Sequence, residues 1–196
     1  MTRAQVAGTL WPESSDQRAG ASLRTAVSRL ESPVRNALKV TALDLSLHEE
    51  VLVDFQESKA LARRLINREA PWGAADLQGG AMALLSRDLL PGWYDNWAIL
   101  AAEDWRQLRV HALEAAAARL TEADRAAEAA DAASAAVRAE PLRESARAEL
   151  IRAHMAQGNQ AEALAEFQRY SWLLRIELGL TPTPRISQLV AGLQSR

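Results

Sequence analysis

Apolar residues in the first quarter of the chain are spaced as in two helices followed by a short hairpin. Thr2 is placed to cap a first helix that ends near Leu10. A second helix is expected over residues 16–30, and Ser32-Pro33 is expected to end it. Between residues 38 and 55 the apolar residues alternate with polar ones, which predicts a β-hairpin and is the only strand signal in the sequence.

Beyond the hairpin, the apolar spacing is helical throughout. Turn residues separate the helices, because glycine accepts a positive φ and proline cannot continue a helix. The breaks fall at Pro71-Trp72-Gly73, Pro91-Gly92, Glu140-Pro141, Gly158-Asn159 and Gly179-Leu180-Thr181-Pro182. The predicted helices lie near residues 55–69, 75–86, 93–120, 123–138, 142–156, 160–177 and 184–194.

The helical part repeats with a period of 34 residues. Asp124-Arg125 lies in one predicted turn, and Gly158-Asn159 lies in the turn 34 positions later. Other positions recur at the same offset: Ala117 and Ile151, Glu128 and Glu162, Ala129 and Ala163, Ala133 and Phe167. This period, with small residues where helices cross, is typical of tetratricopeptide-type hairpins, which stack and present a surface. The sequence therefore predicts a mainly α fold that contains a helical-hairpin array.

Composition excludes several classes of protein. The chain has 196 residues, 48% of them hydrophobic, which is enough for one domain or for a small domain joined to a larger one. The absence of cysteine excludes disulfides, cysteine-zinc sites and thiol nucleophiles. No apolar run approaches the length of a membrane span, and the N-terminal residues lack the pattern of a signal peptide. We expect a soluble, cytoplasmic protein that does not contact a membrane.

The net charge of −2 conceals an uneven distribution. Residues 1–40 carry six basic side chains and three acidic ones, so the remainder of the chain is acidic. A basic segment in front of an acidic helical body favours a nucleic-acid reader joined to a protein-contact module.

A series of motifs follows in a fixed order along the helical part. Arg87-Asp88-Leu89-Leu90-Pro91-Gly92 forms a corner with Trp97 behind it, and the later motifs include Ala139-Glu140-Pro141-Leu142-Arg143-Glu144-Ser145, Glu162-Ala163-Leu164 and Glu177-Leu178-Gly179-Leu180. This series resembles the bacterial transcriptional activator domain of the SARP-type antibiotic regulators of actinomycetes, over roughly residues 54–190. The resemblance implies a tetratricopeptide-like activator domain in residues 54–196.

In that family an OmpR-like winged-helix domain comes first, and residues 1–53 resemble part of it. The segment Arg3–Pro12 is similar to its second helix, Arg18–Leu30 to its recognition helix and Leu38–Val53 to its wing hairpin. The family's leading strands and first helix would lie before Met1. We therefore expect residues 1–53 to form a truncated winged helix-turn-helix element with a short β-hairpin wing.

The polar face of the recognition-like helix is the candidate DNA-binding surface. Arginine can bridge guanine or grip a phosphate, and serine and threonine hydroxyls reach either group. The candidate residues on this helix are Arg18, Ser22, Arg24, Thr25, Ser28 and Arg29, and those at the base of the wing, for phosphate contact, are Arg35 and Lys39. The alternative interpretation is a solvated polar face on a structural helix.

The tryptophans are expected to serve mainly in packing. Trp93, Trp97 and Trp105 form a single stripe on one predicted helix, and this stripe is expected to bury against neighbouring helices. Trp172 is expected to be comparable. Trp72 lies in a Pro-Gly turn and is the best candidate for an exposed interaction residue.

Reactive side chains do not converge on a catalytic site in the sequence pattern. His48, His111 and His154 fall in different elements without the spacing of metal ligands. The helical acids are spaced as ion pairs and caps, and the sequence contains no phosphate-binding loop or nucleophile elbow. We expect neither catalytic residues, nor a metal site, nor a cofactor.

The resemblance implies a transcriptional regulator of the SARP type. Its N-terminal element would contact double-stranded DNA as part of a homodimer. Its helical domain would mediate self-association and contact RNA polymerase or a regulatory protein. The alternative is a protein-interaction module without autonomous DNA binding. A hydrolase or metal enzyme is the third hypothesis, and the lack of a convergent chemical group argues against it.

Overall fold

The chain divides into two compact units, Met1–Val53 and Asp54–Arg196, which we call the first and the second unit. The structure, a computed structural model, describes residues 1–67, 69, 73–77 and 79–193. Trp72, the predicted exposed interaction residue, lies outside the described residues.

The first unit consists of three helices and a hairpin: α1 Arg3–Leu10, α2 Asp16–Arg29, α3 Ser32–Asn36, β1 Leu38–Val40 and β2 Leu45–Leu47. A capping box starts α1, because the Thr2 hydroxyl accepts a hydrogen bond from the Gln5 backbone N–H at 3.2 Å and the Gln5 side chain accepts one from the Thr2 N–H at 3.0 Å. Reciprocal bonds of this kind satisfy two backbone donors that the first helical turn leaves open.

Helix α3 corrects the expectation that Ser32-Pro33 only ends α2. Pro33 lies in the first turn of α3, where its fixed φ suits a helix and its missing N–H is not needed. The same dipeptide therefore ends one helix and begins another.

The hairpin is shorter than the predicted span of residues 38–55. Strands β1 and β2 pair antiparallel, with Leu38 opposite Leu47 and Val40 opposite Leu45. The N-terminus adds to the free edge of β2, since the Leu45 N–H donates to the Met1 carbonyl at 3.0 Å. Residues 51–53, expected in the hairpin, lie in neither strand because a turn at residues 49–50 ends the pairing.

The second unit is helical: α4 Asp54–Ile66, α5 Gly79–Leu85, α6 Asn96–Glu122, α7 Ala126–Ala139, α8 Glu144–Ala156, α9 Gln160–Leu178 and α10 Pro184–Val190, with short 3-10 turns at Ala74–Leu77 and Ala191–Leu193. The helix predicted over residues 75–86 is thus split into a 3-10 turn and α5. The remaining predicted helices agree with the structure to within about three residues at each end, except that α10 ends at Val190, four residues before the predicted end.

The 34-residue repeat is visible in the backbone. Asp124, with φ of 59°, and Gly158, with φ of 77°, both adopt the left-handed conformation that ends a helix. The same hydrogen bond closes both turns: Arg125 N–H donates to the Leu120 carbonyl at 2.8 Å, and Asn159 N–H donates to the His154 carbonyl at 2.9 Å. Helices α6 and α7 therefore form one hairpin, and α8 and α9 repeat its geometry.

Alanine permits close packing between these hairpins. Helix α6 is central, since it packs against α4, α7 and α8. The fully or almost fully buried residues of this packing include Ala112, Ala116, Ala117, Ala129, Ala132, Ala133, Ala136, Ala146 and Ala153. Side chains this small let helix axes approach closely, while leucines and Trp105 fill the wider spaces.

The tryptophan stripe is only partly confirmed. Helix α6 begins at Asn96 and not at residue 93, so Trp93 precedes it and is half exposed. The cause is the preceding corner, where Leu90 and Gly92 both have positive φ and hold the chain in a turn. Trp97 is partly buried and Trp105 is buried, as expected for the helical part of the stripe.

Trp172 corrects the packing prediction more fully, because 63% of it is exposed. The side of α9 that faces the protein carries Tyr170 and Leu174, which pack with Ile186 of α10. At 100° per residue, Trp172 lies about 160–200° around the helix from both of them. Its side chain therefore points to solvent.

Candidate nucleic-acid interface

Helix α2 separates an apolar face from a polar face. Ala19 and Leu23 are buried and, with Ala7 of α1, form the small core of the first unit. Most of the predicted DNA-binding residues on α2 lie outside this core with exposed side chains: Arg18, Arg24, Thr25, Ser28 and Arg29. Ser22 is half-buried at the edge of the polar face. Because the helix is anchored by its apolar side, its polar side is held in one orientation.

The hydroxyl groups on this face bond to their own helix. Thr25 Oγ1 donates to the Ala21 carbonyl at 3.1 Å, and Ser28 Oγ donates to the Thr25 carbonyl at 2.8 Å. Their oxygen lone pairs remain able to accept a bond, and a hydroxyl rotates readily to donate elsewhere. The polar face of α2 thus presents hydroxyl groups, which can donate or accept, between the longer arginine side chains.

Arg35 is hydrogen-bonded to backbone groups of the first unit. Its guanidinium donates to the carbonyl oxygens of Leu30, at 3.0 Å, and of Ser28, next to the end of α2. A cation at a helix C-terminus complements the helix dipole and satisfies open carbonyls. Arg35 therefore holds the end of α2 in place. Lys39, by contrast, lies on β1 with an exposed side chain opposite Ser46.

A cavity beside α2 brings together two arginines that are far apart in sequence. Arg24 and Arg3 line it with Asp16, over a floor of small residues that includes Gly20. Arg3 also donates to the Thr41 carbonyl at 3.4 Å. Sequence reasoning did not select Arg3, because spacing along α2 cannot reveal a residue of α1. Its place on the cavity adds a cation next to the predicted face.

The charge of the first unit is balanced overall. Its six basic side chains are matched by six acidic ones, because Asp44, Glu49 and Glu50 follow the basic segment that ends at residue 40. The excess of basic groups found over residues 1–40 therefore does not extend to the whole unit. The arginines on and beside α2 therefore form a local basic group within a unit that is neutral overall.

The second unit contains a buried ion pair that joins two of its helices. Arg147 and Glu166 form a buried ion pair, and Arg147 also donates to the Pro141 carbonyl at 3.1 and 2.9 Å. Glu166 is paired in addition with Arg169. These contacts join α8 to α9 and pair both carboxylate oxygens of Glu166.

Three pKa shifts in the second unit have structural causes. Hydrogen bonds from Arg106 and Gln107 lower the pKa of Glu103 to about 2. Burial raises the pKa of Tyr170 to about 12. Burial also raises the pKa of the Glu149 carboxyl above its usual value, an effect that the nearby Arg152 opposes. Each shift is explained by packing or an ion pair, and none marks a catalytic acid or base.

Exposed apolar side chains form two groups on the second unit. One surrounds the corner before α6 and includes Trp93, Tyr94, Ile99 and Leu100, and the other lies on α9 and includes Trp172 and Ile176. Exposed aromatic groups of this size are typical of protein-contact surfaces. The periodicity of α9 could have indicated the second group, because Tyr170 and Leu174 define the buried side.

In the part of the chain that the structure describes, no three side chains of the types that bind metals come together. No helix in the same ranges is both long enough and apolar enough to cross a lipid bilayer.

The chain is similar to known proteins over most of its length. The regulatory protein AfsR of Streptomyces griseus is 31% identical over 96% of the chain, and AfsR of Streptomyces coelicolor is 27% identical over 96%. The chain spans about a fifth of the length of these two relatives. A solved structure of Mycobacterium tuberculosis EmbR in complex with a low-affinity phosphopeptide has the same fold, with a TM-score of 0.53 and 20% identity over 97% of this chain and 54% of that one.

The family model of the bacterial transcriptional activator domain matches residues 52–194, which is most of the chain. This range contains the corner before α6, the repeated turns at Asp124 and Gly158, and helix α10. The chain belongs to the bacterial transcriptional activator domain family, whose members include regulators of the SARP and AfsR type.

Proposed function

We propose that the chain contacts double-stranded DNA through α2 and binds a protein partner through its helical array. The observation that carries this proposal is the division of α2 into a buried side, with Leu23, and an exposed side, with Arg18, Thr25 and Arg29. Both AfsR alignments cover 96% of the chain, so they include this helix as well as the activator domain.

In the proposed complex, the exposed side of α2 enters the major groove. Arg18, Arg24 and Arg29 bind guanine edges or phosphates, and Ser22, Thr25 and Ser28 contact neighbouring groups. Lys39 on the hairpin binds a phosphate. Arg35 keeps its bonds to the Ser28 and Leu30 carbonyls and so orients α2, while part of its charge remains available to the DNA backbone.

The helical array performs the second half of the proposed function. Stacked hairpins offer a broad rigid surface without a reaction centre, which suits contact with RNA polymerase or a regulatory protein. Self-association into a homodimer would bring two copies of α2 to neighbouring sites on the duplex. The chain would act without catalysis, in the cytoplasm where bacterial transcription takes place.

The alternative function is a protein-interaction module that does not bind DNA by itself. Two observations favour it: the first unit has, within its described residues 1–53, a core of only three buried apolar side chains, and its charge is balanced. A small core holds a helix less firmly, which would weaken any readout through α2.

Binding to duplex DNA distinguishes the two functions. We would select duplexes from a random library with the wild-type chain, then measure affinity by fluorescence anisotropy for wild type and for the variant with Arg18, Arg24 and Arg29 all replaced by alanine. The expected result is a loss of roughly 100-fold or more, since each base or phosphate contact contributes about 1–3 kcal/mol.

The matched control removes three arginines from the second unit, and Arg63, Arg87 and Arg138 are exposed there. Their replacement by alanine changes the net charge equally and should alter affinity by less than about threefold. Equal losses in both triple variants, or no binding by the wild type at low salt, would favour the protein-interaction module.

A further inference from the structure

The exposed side of α2 has positive charges along two edges and uncharged side chains between them. At 100° per residue, Arg18 and Arg29 lie about 20° apart on one edge, and Arg24 lies about 120–140° away from them on the other. The exposed residues between the edges are Gln17, Ala21, Thr25 and Ser28. A helix in the major groove turns the middle of its exposed side toward base edges and its flanks toward the backbones of the two strands.

The Arg24 side chain extends away from this middle. A Cβ at Gly20 would lie 3.8 Å from Arg24 Nη1, so the guanidinium extends back over Gly20. Gly20 lies about 40° farther from the middle of the exposed side than Arg24 does. In this position Arg24 lines the same cavity as Arg3 of α1, together with Asp16. Two positive charges and one negative charge thus meet at this edge.

The arginines at the two edges are not neutralised by carboxylates of their own unit. Within residues 1–53, all of which the structure describes, no arginine forms an ion pair. The bond from Arg3 to the Thr41 carbonyl is long, at 3.4 Å, and leaves the charge of the guanidinium uncompensated. These groups can therefore bind phosphates, which lie along both strands of a duplex.

Gln17 is suited to read a base from the middle of the exposed side. It is the second residue of α2, and the first turns of a recognition helix are the part that contacts base edges. Its side-chain amide can donate to N7 of adenine and accept from N6 of the same base. The hydroxyl groups of Thr25 and Ser28 differ from it, because they are hydrogen-bonded to carbonyl groups of α2.

Ala21 lies one turn after Gln17 and also faces outward. It is about 6 Å farther along the helix axis and about 40° around it. Its exposed methyl group is complementary to the C5-methyl group of thymine. Successive base pairs are about 3.4 Å apart, so the two residues can contact base pairs one or two steps from each other.

We propose that Gln17 reads an adenine and that Ala21 packs on the methyl group of a thymine one or two base pairs away. The arginines at the two edges, together with Arg3, bind phosphates of the two strands. This inference rests on the proposed DNA contact through α2 and deepens it. It assigns the sequence preference to two uncharged residues and the salt-dependent affinity to the arginines.

The test of Gln17 begins with duplexes that the full wild-type chain selects from a random library. The adenine in question is the position at which Gln17→Ala loses its preference in a parallel selection. Replacement of that A·T pair by G·C should weaken binding of the wild type roughly 10- to 100-fold, and 7-deazaadenine, which lacks the N7 acceptor, should weaken it at least about threefold. Gln17→Ala should bind all three duplexes equally, within about twofold.

Gln56→Ala is the matched control for Gln17→Ala. Gln56 is an exposed glutamine in the first turn of α4, in the second unit. Its replacement should change neither the affinity nor the preference for adenine.

Uracil in place of thymine tests the contact with Ala21, because it removes only the methyl group. We expect this change to weaken binding of the wild type by roughly 3- to 5-fold and to leave the affinity of Ala21→Gly unchanged. The ratio compares two duplexes bound by the same variant, so a loss of helix stability in Ala21→Gly cancels.

Alanine variants of the edge arginines should behave differently. Arg3→Ala and Arg18→Ala should each weaken binding to every duplex by the same factor. The salt dependence of the affinity should become less steep by about 0.9 for each contact removed. The preference for particular bases should stay as in the wild type.

The outcomes separate this inference from the proposed DNA contact. A wild type that binds no duplex, even at low salt, would overturn both. A wild type that binds while Gln17→Ala keeps the preference for adenine would overturn the reading by Gln17 and keep the DNA contact. Equal sensitivity of Ala21→Gly and the wild type to uracil would overturn the thymine contact. Loss of preference at one base pair in Arg3→Ala or Arg18→Ala would overturn the assignment of the arginines to phosphates.

Discussion

At the scale of single residues, the buried pair of Arg147 and Glu166 has the largest expected effect on stability. Only 5% and 4% of the two side chains are exposed. Desolvation of an ion pair is costly, and the cost is offset here by the additional bonds from Arg147 to the Pro141 carbonyl. The pair joins α8 to α9. Removal of either side chain would leave the other charge buried without its partner.

Removal of one member of this pair should destabilise the second unit strongly. We expect Arg147→Leu to lower the free energy of unfolding by about 3 kcal/mol, because Glu166 would remain buried with only the exposed Arg169 beside it. The double variant Arg147→Leu, Glu166→Leu should be more stable than Arg147→Leu alone, since no charge is left unpaired. Urea unfolding followed by circular dichroism measures both, and a double variant less stable than the single one would contradict this interpretation.

Glu149 gives a pH-dependent prediction of known sign. Burial raises the pKa of its carboxyl above the usual 4.5 in the folded protein. A group whose folded pKa is raised contributes stability below the unfolded pKa and loses that contribution as the pH rises through the folded value. Glu149→Gln should therefore resemble the wild type near pH 4.5 and become relatively more stable as the pH increases.

Thermal melting of wild type and variant between about pH 4.5 and pH 7.5 measures this difference. The control is Glu128→Gln, because a hydrogen bond from Arg125 lowers the pKa of Glu128. For this variant the difference in melting temperature from the wild type should have the opposite sign, because Glu128→Gln should be less stable than the wild type at neutral pH. If the difference in melting temperature between Glu149→Gln and the wild type stayed constant with pH, the raised pKa of Glu149 would be refuted.

At the scale of elements, the turns of the 34-residue repeat are equivalent in geometry but not in sequence. Asp124 has φ of 59° where the next repeat has Gly158 at 77°. A left-handed conformation costs a residue with a Cβ about 1 kcal/mol, although aspartate tolerates it better than most. The first hairpin therefore contains a small strain that the second hairpin avoids.

Exchange of these turn residues should shift stability in opposite directions. Asp124→Gly should raise the free energy of unfolding by up to about 1 kcal/mol, and Gly158→Ala should lower it by about 1 kcal/mol. A Cβ at Gly158 would meet no heavy atom within 4 Å, so the loss would come from the backbone alone. Chemical unfolding of the two variants measures both changes, and a stabilising Gly158→Ala would be incompatible with the repeat geometry described here.

The repeat also explains how much of the fold is predictable from sequence. Asp124 and Gly158 accept the positive φ of a turn more readily than most residues, and this preference depends only on the local sequence. The helices on either side of them were therefore predicted to within about three residues. The start of α6 was expected three residues too early, because positive φ at Leu90 is a property of the corner and not of leucine. The short helix α3 was not expected, although proline can follow the end of one helix and lie in the first turn of the next.

Side-chain environment was less predictable than backbone structure. The polar face of α2 follows from helical periodicity, which needs only local sequence. The hydrogen bonds from Arg35 to the Ser28 and Leu30 carbonyls depend on how the chain turns between α2 and α3, which helical periodicity does not give. Trp172 was expected to pack because aromatic residues usually do, yet the packed side of α9 is already filled by Tyr170 and Leu174.

At the scale of the whole molecule, the two units divide the work that we propose. The second unit has a large alanine-rich core and paired buried charges, which make a rigid surface for partners. The first unit has a small core and presents a polar helix. Because its total charge is balanced, the DNA contact that we propose would depend on the arginines at one face of α2.

The salt dependence of DNA affinity tests this central claim most directly. Each phosphate contact releases counterions when DNA binds. A plot of the logarithm of the association constant against the logarithm of the salt concentration therefore has a negative slope, which becomes less steep by roughly 0.9 for every contact removed. With a selected duplex, we expect a steep slope for the wild type. The slope should be shallower by about 2 to 3 when Arg18, Arg24 and Arg29 are replaced by alanine. Identical slopes for the two proteins would contradict DNA contact through the arginines of α2.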